Sequence, residues 1–207
     1  MADWTIRDSA ALYGISNWGA RYFSVGGNGN VQVHPMGPDG PRVDLAELVS
    51  DMQGRGLHTP LLVRFSDILA SRVAEIAQCF ERARQDYGYR GAYRGVYPIK
   101  VNQQRQVVEE MVEFGRKYDL GLEVGSKPEL LVAIALLDNP DALLVCNGFK
   151  DAAYIETALL AQRLGLHPIL VLDRPTELEL LLKVSRDLGI RPHVGVRARL
   201  ASRPRAN

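Results

Sequence analysis

Three charged residues stand at the ends of predicted strands, where their side chains can meet. Lys100 lies near the end of the apolar run GVYPIKV, Glu123 lies within GLEVGS, and Arg197 lies within HVGVRAR. A lysine held rigidly in a dry site can act as an amine nucleophile and form a Schiff base. A carboxylate at the same level on the next strand can pair with that lysine and offset the cost of its burial. The pattern therefore makes Lys100 a candidate for covalent amine chemistry, with Glu123 as a candidate partner.

These residues belong to a series of alternating strands and helices. Apolar runs predict strands over residues 60–65, 95–101, 119–126, 142–148, 167–173 and 193–199. Between them, apolar residues at helical spacing predict helices around 69–80, 107–114, 127–137, 152–164 and 176–188. Ser126 and Glu129 form a capping box at the start of the third of these helices. Serial strand–helix units without hairpins predict parallel strands joined by crossover helices.

The predicted fold class is α/β. A doubly wound sheet and a (β/α)8 barrel both satisfy the alternation, and six strands of the eight that a barrel needs are visible. In each run the charged residues occupy alternate positions and the apolar residues the positions between them, so the two kinds of side chain point to opposite faces of the sheet. The apolar face suits the side that helices cover. The charged face is then the inner side of a barrel, toward the strand ends where barrel active sites lie. We therefore predict a partial (β/α)8 barrel.

Two regions with different patterns of secondary structure are predicted. Residues 1–57 form a β-rich segment in which RYFSVGGNGNVQVHP reads as a hairpin and Asp44 to Met52 as a short helix. Residues 58–207 form the incomplete barrel, and the last strand stops close to the end of the sequence without a closing helix. The chain is therefore expected to be interrupted inside the barrel domain.

The composition excludes several classes of function. A net charge of +1 gives no reason to expect nucleic acid or an anionic membrane surface as a partner. The apolar runs are too short to span a bilayer, and MADWTIRDSA lacks the apolar core of a signal peptide. The two cysteines, Cys79 and Cys146, have no metal or redox spacing, which fits a reducing cytoplasm.

Ordinary structural roles compete with the chemical interpretation. A lysine at a strand end usually extends its amine to water. Arg64 and Arg199 fit surface or ion-pair residues, and Asn102 can simply cap the next helix. Cys146 fits a small core residue and Lys150 a solvent-facing one. The four histidines show no ligand spacing, and GGNGN reads as a turn and not a phosphate loop because no helix follows it.

Several long blocks of the sequence resemble the biosynthetic arginine decarboxylase family. They are YPIKVNQQRQVVEEM, GLEVGSKPELLVAIALL, VCNGFKDAAYI, GVRARLAS and the N-terminal DSAALYGISNWGARYFSVGGNGNVQVHP. The resemblance runs from about Trp4 to Ser202. It implies a pyridoxal phosphate enzyme with an alanine-racemase-like architecture, a (β/α)8 barrel joined to a β-rich domain. The implied reaction converts L-arginine to agmatine and carbon dioxide, the entry to putrescine and spermidine synthesis.

The resemblance also assigns roles to individual residues. Lys100 matches the lysine that carries pyridoxal phosphate as a Schiff base. Glu123 stands where relatives have an acidic residue close to the cofactor and the lysine, and Arg197 matches a strand-end arginine near the cofactor ring. The family implies magnesium as well, although the sequence shows no ligand set for it. Full-length relatives are expected to form homo-oligomers.

The sequence departs from the family pattern in its extent. The later barrel strands, the His-x-Gly-Ser segment, the glycine-rich phosphate loop, the acidic partner of the pyridine nitrogen and the C-terminal domain have no counterpart here. After Ser202 the residues RPRAN leave the pattern. Because an open barrel exposes its sheet edges, we expect the chain alone to be inactive and poorly stable.

Three other interpretations remain open on the residues. A small single-barrel pyridoxal-phosphate-binding protein has the same kind of strand-end lysine, but the N-terminal segment and the GLEVGSKPEL and VCNGFKD blocks argue against it. A non-catalytic fragment associated with another chain is a second possibility. A Schiff-base aldolase is a third, and it leaves the N-terminal segment unexplained. The choice of arginine as substrate rests on the resemblance alone.

Overall fold

The computed structural model of the chain describes residues 4–198. Their contacts divide the chain into two compact units, Met1–Glu75 and Ile76–Asn207. The helix that spans the division is Ser66–Asp86, which confirms the helix predicted around residues 69–80. The predicted division into domains at residues 57 and 58 remains a prediction. Arg199 and the closing residues RPRAN lie outside the described part of the chain.

The first unit holds a small antiparallel sheet among short helices. The helices are α1 (Ile6–Leu12), α2 (Ile15–Trp18) and α3 (Leu45–Gly54), and the strands are β1 (Phe23–Val25), β2 (Val31–Val33) and β3 (Val43–Asp44). The strands pair in the order β1-β2-β3. The predicted hairpin and the helix near 44–52 are therefore confirmed, whereas α1 and α2 were not predicted.

Asp44 explains how the hairpin turn and α3 are held together. Its carboxylate accepts hydrogen bonds from the backbone N–H groups of Ala46 and Glu47, as an N-cap does. The same carboxylate accepts from the side-chain amides of Asn28 and Asn30 in the turn, at 2.9 and 3.0 Å. The GGNGN segment is thus a structural turn, as predicted.

The second unit is a parallel sheet that alternates with helices. After α4 (Ser66–Asp86), its elements are β4 (Val96–Pro98), α5 (Arg105–Gly115), β5 (Gly121–Val124), α6 (Lys127–Leu136), β6 (Leu143–Cys146), α7 (Ala152–Arg163), β7 (His167–Leu172), α8 (Pro175–Leu188) and β8 (His193–Val196). The strands follow one another in the order β4-β5-β6-β7-β8, all parallel. The α/β class and the crossover helices are confirmed.

Strand parity separates the two faces of this sheet. One face carries fully buried apolar residues that pack against the helices: Leu122, Val124, Leu144, Cys146 and Leu170. The alternate residues form the other face, where pairing aligns Pro98, Glu123, Val145, Ile169 and His193 in one row across the sheet. Apolar burial thus fixes the register, and the register fixes which polar residues face the uncovered side.

Ser126 begins α6 as the sequence predicted, with one change in the capping box. The Ser126 hydroxyl accepts from the backbone N–H of Glu129, and Pro128 lies in the first turn. The Glu129 carboxylate accepts from the backbone N–H of Gly125, at 2.6 Å, one residue before the position that a capping box uses. The helix start is therefore fixed from two sides, directly after the strand that carries Glu123.

The strand predicted at residues 60–65 is wrong. Residues 61–65 have no regular secondary structure, and Leu62 is 80% exposed. Their apolar run does not become a strand because a strand is made by hydrogen bonds to a neighbouring strand, and among the described residues none pairs with this segment. The described part of the sheet therefore has five strands and not six.

We predict that Gly121→Ala destabilises the chain by about 3 kcal/mol, because a methyl group there would overlap the backbone of Leu143 on β6. Gly125→Ala is the matched control, since its added carbon would meet only the Glu129 carboxylate at ordinary contact distance. Urea unfolding of both variants measures the difference. Equal midpoints for Gly121→Ala and the parent chain would contradict the close approach of β5 and β6.

Candidate functional site

The candidate site lies at the carboxyl ends of β4, β5 and β6. Lys100 follows β4 in a single 3-10 turn, Ile99–Val101, so the predicted strand over residues 95–101 ends earlier than expected. Within the turn Ile99 is buried in the core and Lys100 points away from it. The Tyr97 hydroxyl closes the turn by donating to the Asn102 carbonyl at 3.2 Å.

Lys100 and Glu123 meet as the sequence predicted. Pro98 pairs with Glu123 across β4 and β5, which brings the next residues of the β4 segment to the end of β5. Lys100 Nζ lies 3.6 Å from Glu123 Oε1. The burial expected for the lysine is not found, because its side chain is 65% exposed whereas that of Glu123 is 8% exposed. The amine is thus accessible and its carboxylate partner is fixed in the protein.

Glu123 has a second partner that sequence reasoning missed. Asn147, the first residue after β6, donates from Nδ2 to the same Oε1 atom at 2.9 Å. A nearly buried carboxylate needs such donors, because an unpaired buried charge is costly. The sequence does contain a signal for this contact. Asn147 directly follows the apolar run ALLVC, at an alternate position that places it on the same face of the sheet as Glu123.

Lys150 is buried, which corrects the prediction that it faces solvent. Its side chain is fully buried, Nζ donates to the Gly148 carbonyl at 2.7 Å, and Nζ lies 3.6 Å from Glu177 Oε2. Glu177, in the first turn of α8, also accepts from the backbone N–H groups of Lys150 and Asp173. The pair therefore joins the loops that follow β6 and β7.

Arg197 is not brought to Lys100 within the described residues. It follows β8, is exposed, and its backbone N–H donates to the Leu172 carbonyl at 3.0 Å. Three strand positions separate β8 from β5, which is about 14 Å along the sheet. Arg197 therefore shares the edge of the sheet with Glu123 but not its contacts. Arg64 is exposed, as predicted.

Cys146 is a core residue, in agreement with the prediction. It is fully buried on the helix-covered face of β6. Burial raises the pKa of its thiol to about 12, so the thiolate required for nucleophilic chemistry is scarce at neutral pH. Its neighbour Tyr154 is also buried, and burial raises the pKa of that phenol well above its usual value. Neither residue is a candidate for acid–base chemistry.

Lys127 and Asp151 supply a second lysine–carboxylate pair at the same end of the sheet. Lys127 Nζ lies 2.7 Å from Asp151 Oδ2, and about half of each side chain is exposed. The Lys127 ammonium and the backbone N–H of Tyr154 hold the pKa of Asp151 below its usual value. This pair differs from Lys100 and Glu123 in having an exposed carboxylate that caps α7.

No group of three or more His, Cys, Asp and Glu residues within positions 4–198 is arranged to hold a metal ion. The same span contains no helix with the length and apolar character needed to cross a membrane.

Comparison of the sequence with known protein families identifies one match. Residues 73–205 match the family model described as pyridoxal-dependent decarboxylase, pyridoxal binding domain. The chain belongs to this family. The match covers the whole parallel sheet, including Lys100, Glu123 and Asn147, so the site lies inside the region that defines the family.

The similar proteins are much longer than this chain. The biosynthetic arginine decarboxylase of Gloeobacter violaceus is 58% identical over 203 residues, which are 98% of this chain and 32% of that protein. The one from Parasynechococcus marenigrum is 53% identical over 97% of this chain and 31% of its own length. The chain therefore spans about a third of the curated relatives that it matches.

Solved structures agree on the fold. The crystal structure of the biosynthetic arginine decarboxylase from Campylobacter jejuni matches 91% of this chain with a TM-score of 0.82 and 33% identity, and the match covers 32% of that protein. A diaminopimelate decarboxylase from M. jannaschi matches 89% of this chain and 37% of its own length with a TM-score of 0.63 at 20% identity, which supports the fold alone. The five parallel strands and their helices are thus part of the predicted barrel fold.

We predict that Glu177→Gln destabilises the chain by about 3 kcal/mol, because it leaves the buried Lys150 ammonium without a counter-charge. The double variant Lys150→Met/Glu177→Gln should recover most of that loss, since it removes the unpaired charge and keeps the glutamine oxygen as an acceptor for a backbone N–H. Urea unfolding compares the two. A double variant as unstable as Glu177→Gln would show that the cost is not one of an unpaired charge.

Proposed function

We propose that this chain supplies the cofactor-attaching part of a pyridoxal-phosphate-dependent arginine decarboxylase, and that Lys100 is the attachment point. The observation that carries the proposal is the exposed Lys100 amine held 3.6 Å from a buried Glu123 carboxylate, inside the region that matches the pyridoxal-binding family. The family match supports the cofactor, and the similarity to arginine decarboxylases supports the substrate.

Lys100 and the residues around it fit the aldehyde group of pyridoxal phosphate. That cofactor needs one accessible amine, and when bound it supplies an electron sink for a carbanion. Lys100 supplies the amine at the carboxyl end of β4, where its side chain is exposed, and the 3-10 turn fixes its backbone. Glu123 keeps the amine in place as its ion-pair partner, while Asn147 holds the carboxylate.

Three further properties are proposed: a role for Arg197, a magnesium requirement, and a cytoplasmic homo-oligomer. Arg197 is proposed to approach the cofactor from β8, the strand at the other end of the sheet order from β4, since it lies at the same carboxyl ends of the strands. A magnesium requirement rests on the resemblance only, because positions 4–198 hold no ligand cluster. Two free cysteines support a cytoplasmic location, and homo-oligomers are proposed from the resemblance.

Cofactor attachment tests the role of Lys100 directly. We expect pyridoxal phosphate to bind covalently to the purified chain, to be fixed by borohydride, and to be lost in Lys100→Arg, which keeps the positive charge but not a nucleophilic amine. Lys127→Arg is the matched control, because Lys127 also pairs with a carboxylate at this end of the sheet. The absorbance of the reduced cofactor on the protein measures the outcome. Equal labelling of Lys100→Arg and the parent chain would contradict the proposal.

The substrate is tested in the organism that carries the gene. We expect Lys100→Arg, introduced at the chromosomal locus, to lower the conversion of labelled L-arginine to agmatine by about tenfold or more. The Lys127→Arg strain should keep the parental rate. Mass spectrometry of the labelled agmatine measures both strains. An unchanged agmatine flux in the Lys100→Arg strain would rule out arginine decarboxylation as the function.

A further inference from the structure

The Asn147 side chain contacts the carboxylate oxygen that pairs with Lys100. Its Nδ2 atom donates to Glu123 Oε1 at 2.9 Å, and that same oxygen lies 3.6 Å from Lys100 Nζ. A glutamate side chain has several rotatable bonds, so an ion pair alone leaves the carboxylate free to turn. The Asn147 donor holds one particular oxygen in the direction of the lysine.

The backbone of Asn147 is fixed on both sides. Its N–H donates to the Val124 carbonyl at 2.8 Å, and its carbonyl accepts from the Tyr154 hydroxyl at 3.4 Å. Gly148 follows with φ of 75°, and a side chain there would overlap the Gly125 carbonyl. The segment therefore turns tightly over the end of β5, and only glycine permits that turn.

The buried Lys150–Glu177 ion pair holds the other end of the same loop. Lys150 Nζ donates to the Gly148 carbonyl, next to Asn147, and pairs with Glu177. Glu177 in turn accepts from the Asp173 N–H at 3.0 Å. Because both charges are buried, the geometry of this pair tolerates little movement without losing its compensation.

We propose that Asn147 is a positioning residue that aims the Glu123 carboxylate at Lys100, and that the buried Lys150–Glu177 pair holds Asn147 in that position. The inference rests on the proposed function of Lys100 and adds residues to it. When pyridoxal phosphate is bound, the neutral Lys100 amine would bond to its aldehyde carbon, and the two amine protons would leave with the carbonyl oxygen as water. Glu123 would hold that amine in place for the reaction, so the orientation of its carboxylate would set how fast attachment occurs.

The test uses two substitutions of Asn147 on the full chain with pyridoxal phosphate as the probe. Asn147→Ala should slow borohydride-trapped attachment about tenfold, because the carboxylate is no longer aimed. Asn147→Asp should move the pH midpoint of attachment upward by about one unit, because a second negative charge near the amine favours its protonated form. A role confined to stability would not move the pH midpoint.

Asn139 provides a matched control at the opposite end of β6. Its side-chain amide also donates to a carboxylate, that of Asp119 at 3.0 Å, but it precedes β6 whereas Asn147 follows it. Asn139→Ala and Asn139→Asp should leave the rate and the pH midpoint of attachment unchanged. Unfolding midpoints of the four variants separate folding losses from positioning losses.

The double variant Lys150→Met/Glu177→Gln tests the second half of the inference without an unpaired charge. It should recover most of the stability that Glu177→Gln loses, yet attach pyridoxal phosphate about tenfold more slowly than the parent chain, since the Gly148 carbonyl loses its Lys150 donor. A parental attachment rate in this variant would overturn the role of the ion pair.

The outcomes distinguish a failure of the positioning role of Asn147 from a failure of the proposed function. If the parent chain attaches no cofactor, the proposed function fails and the inference falls with it. If the parent chain attaches the cofactor and both Asn147 variants behave like the Asn139 variants in rate and pH midpoint, the proposed function stands and the positioning role of Asn147 is wrong.

Discussion

The buried carboxylate of Glu123 is the constraint on which the site depends. Its position on β5, between strands packed on both sides, removes water from it, so the protein must supply its partners. Asn147 supplies a hydrogen bond and Lys100 a positive charge, both to the same oxygen. The turn after β4 and the loop after β6 are therefore both organised around one side chain of β5, and the exposed amine of Lys100 is the group left to react.

Much of the second unit could be predicted from residue patterns. Apolar alternation predicted the strands that became β5, β6 and β7, because burial of one face fixes their register. Ser126 and Pro128 predicted the start of α6, since these residues satisfy or avoid the free N–H groups of a first helical turn. The meeting of Lys100 and Glu123 followed from the same parity argument, and the structure bears it out at 3.6 Å.

The errors have a common physical origin. Residues 60–65 are as apolar as a strand, but a strand requires a hydrogen-bonding neighbour that sequence does not reveal. Lys150 is a lysine in a loop, which normally means exposure, and its burial depends on Glu177, 27 residues later in the chain. Lys100 lies in a 3-10 turn in place of the last strand residues, and its side chain is 65% exposed. Each case depends on a partner distant in sequence or on local geometry that apolar patterns do not encode.

The most direct test of the central claim is to locate the reduced cofactor in the chain. After pyridoxal phosphate and borohydride, trypsin digestion and mass spectrometry should find the added mass on the peptide Gly95–Arg105, uncut at Lys100, because trypsin does not cleave at a modified lysine. That result would establish Lys100 as the reactive amine at the end of β4. A modification carried mainly by Lys117, Lys127, Lys150 or Lys183 would contradict the account.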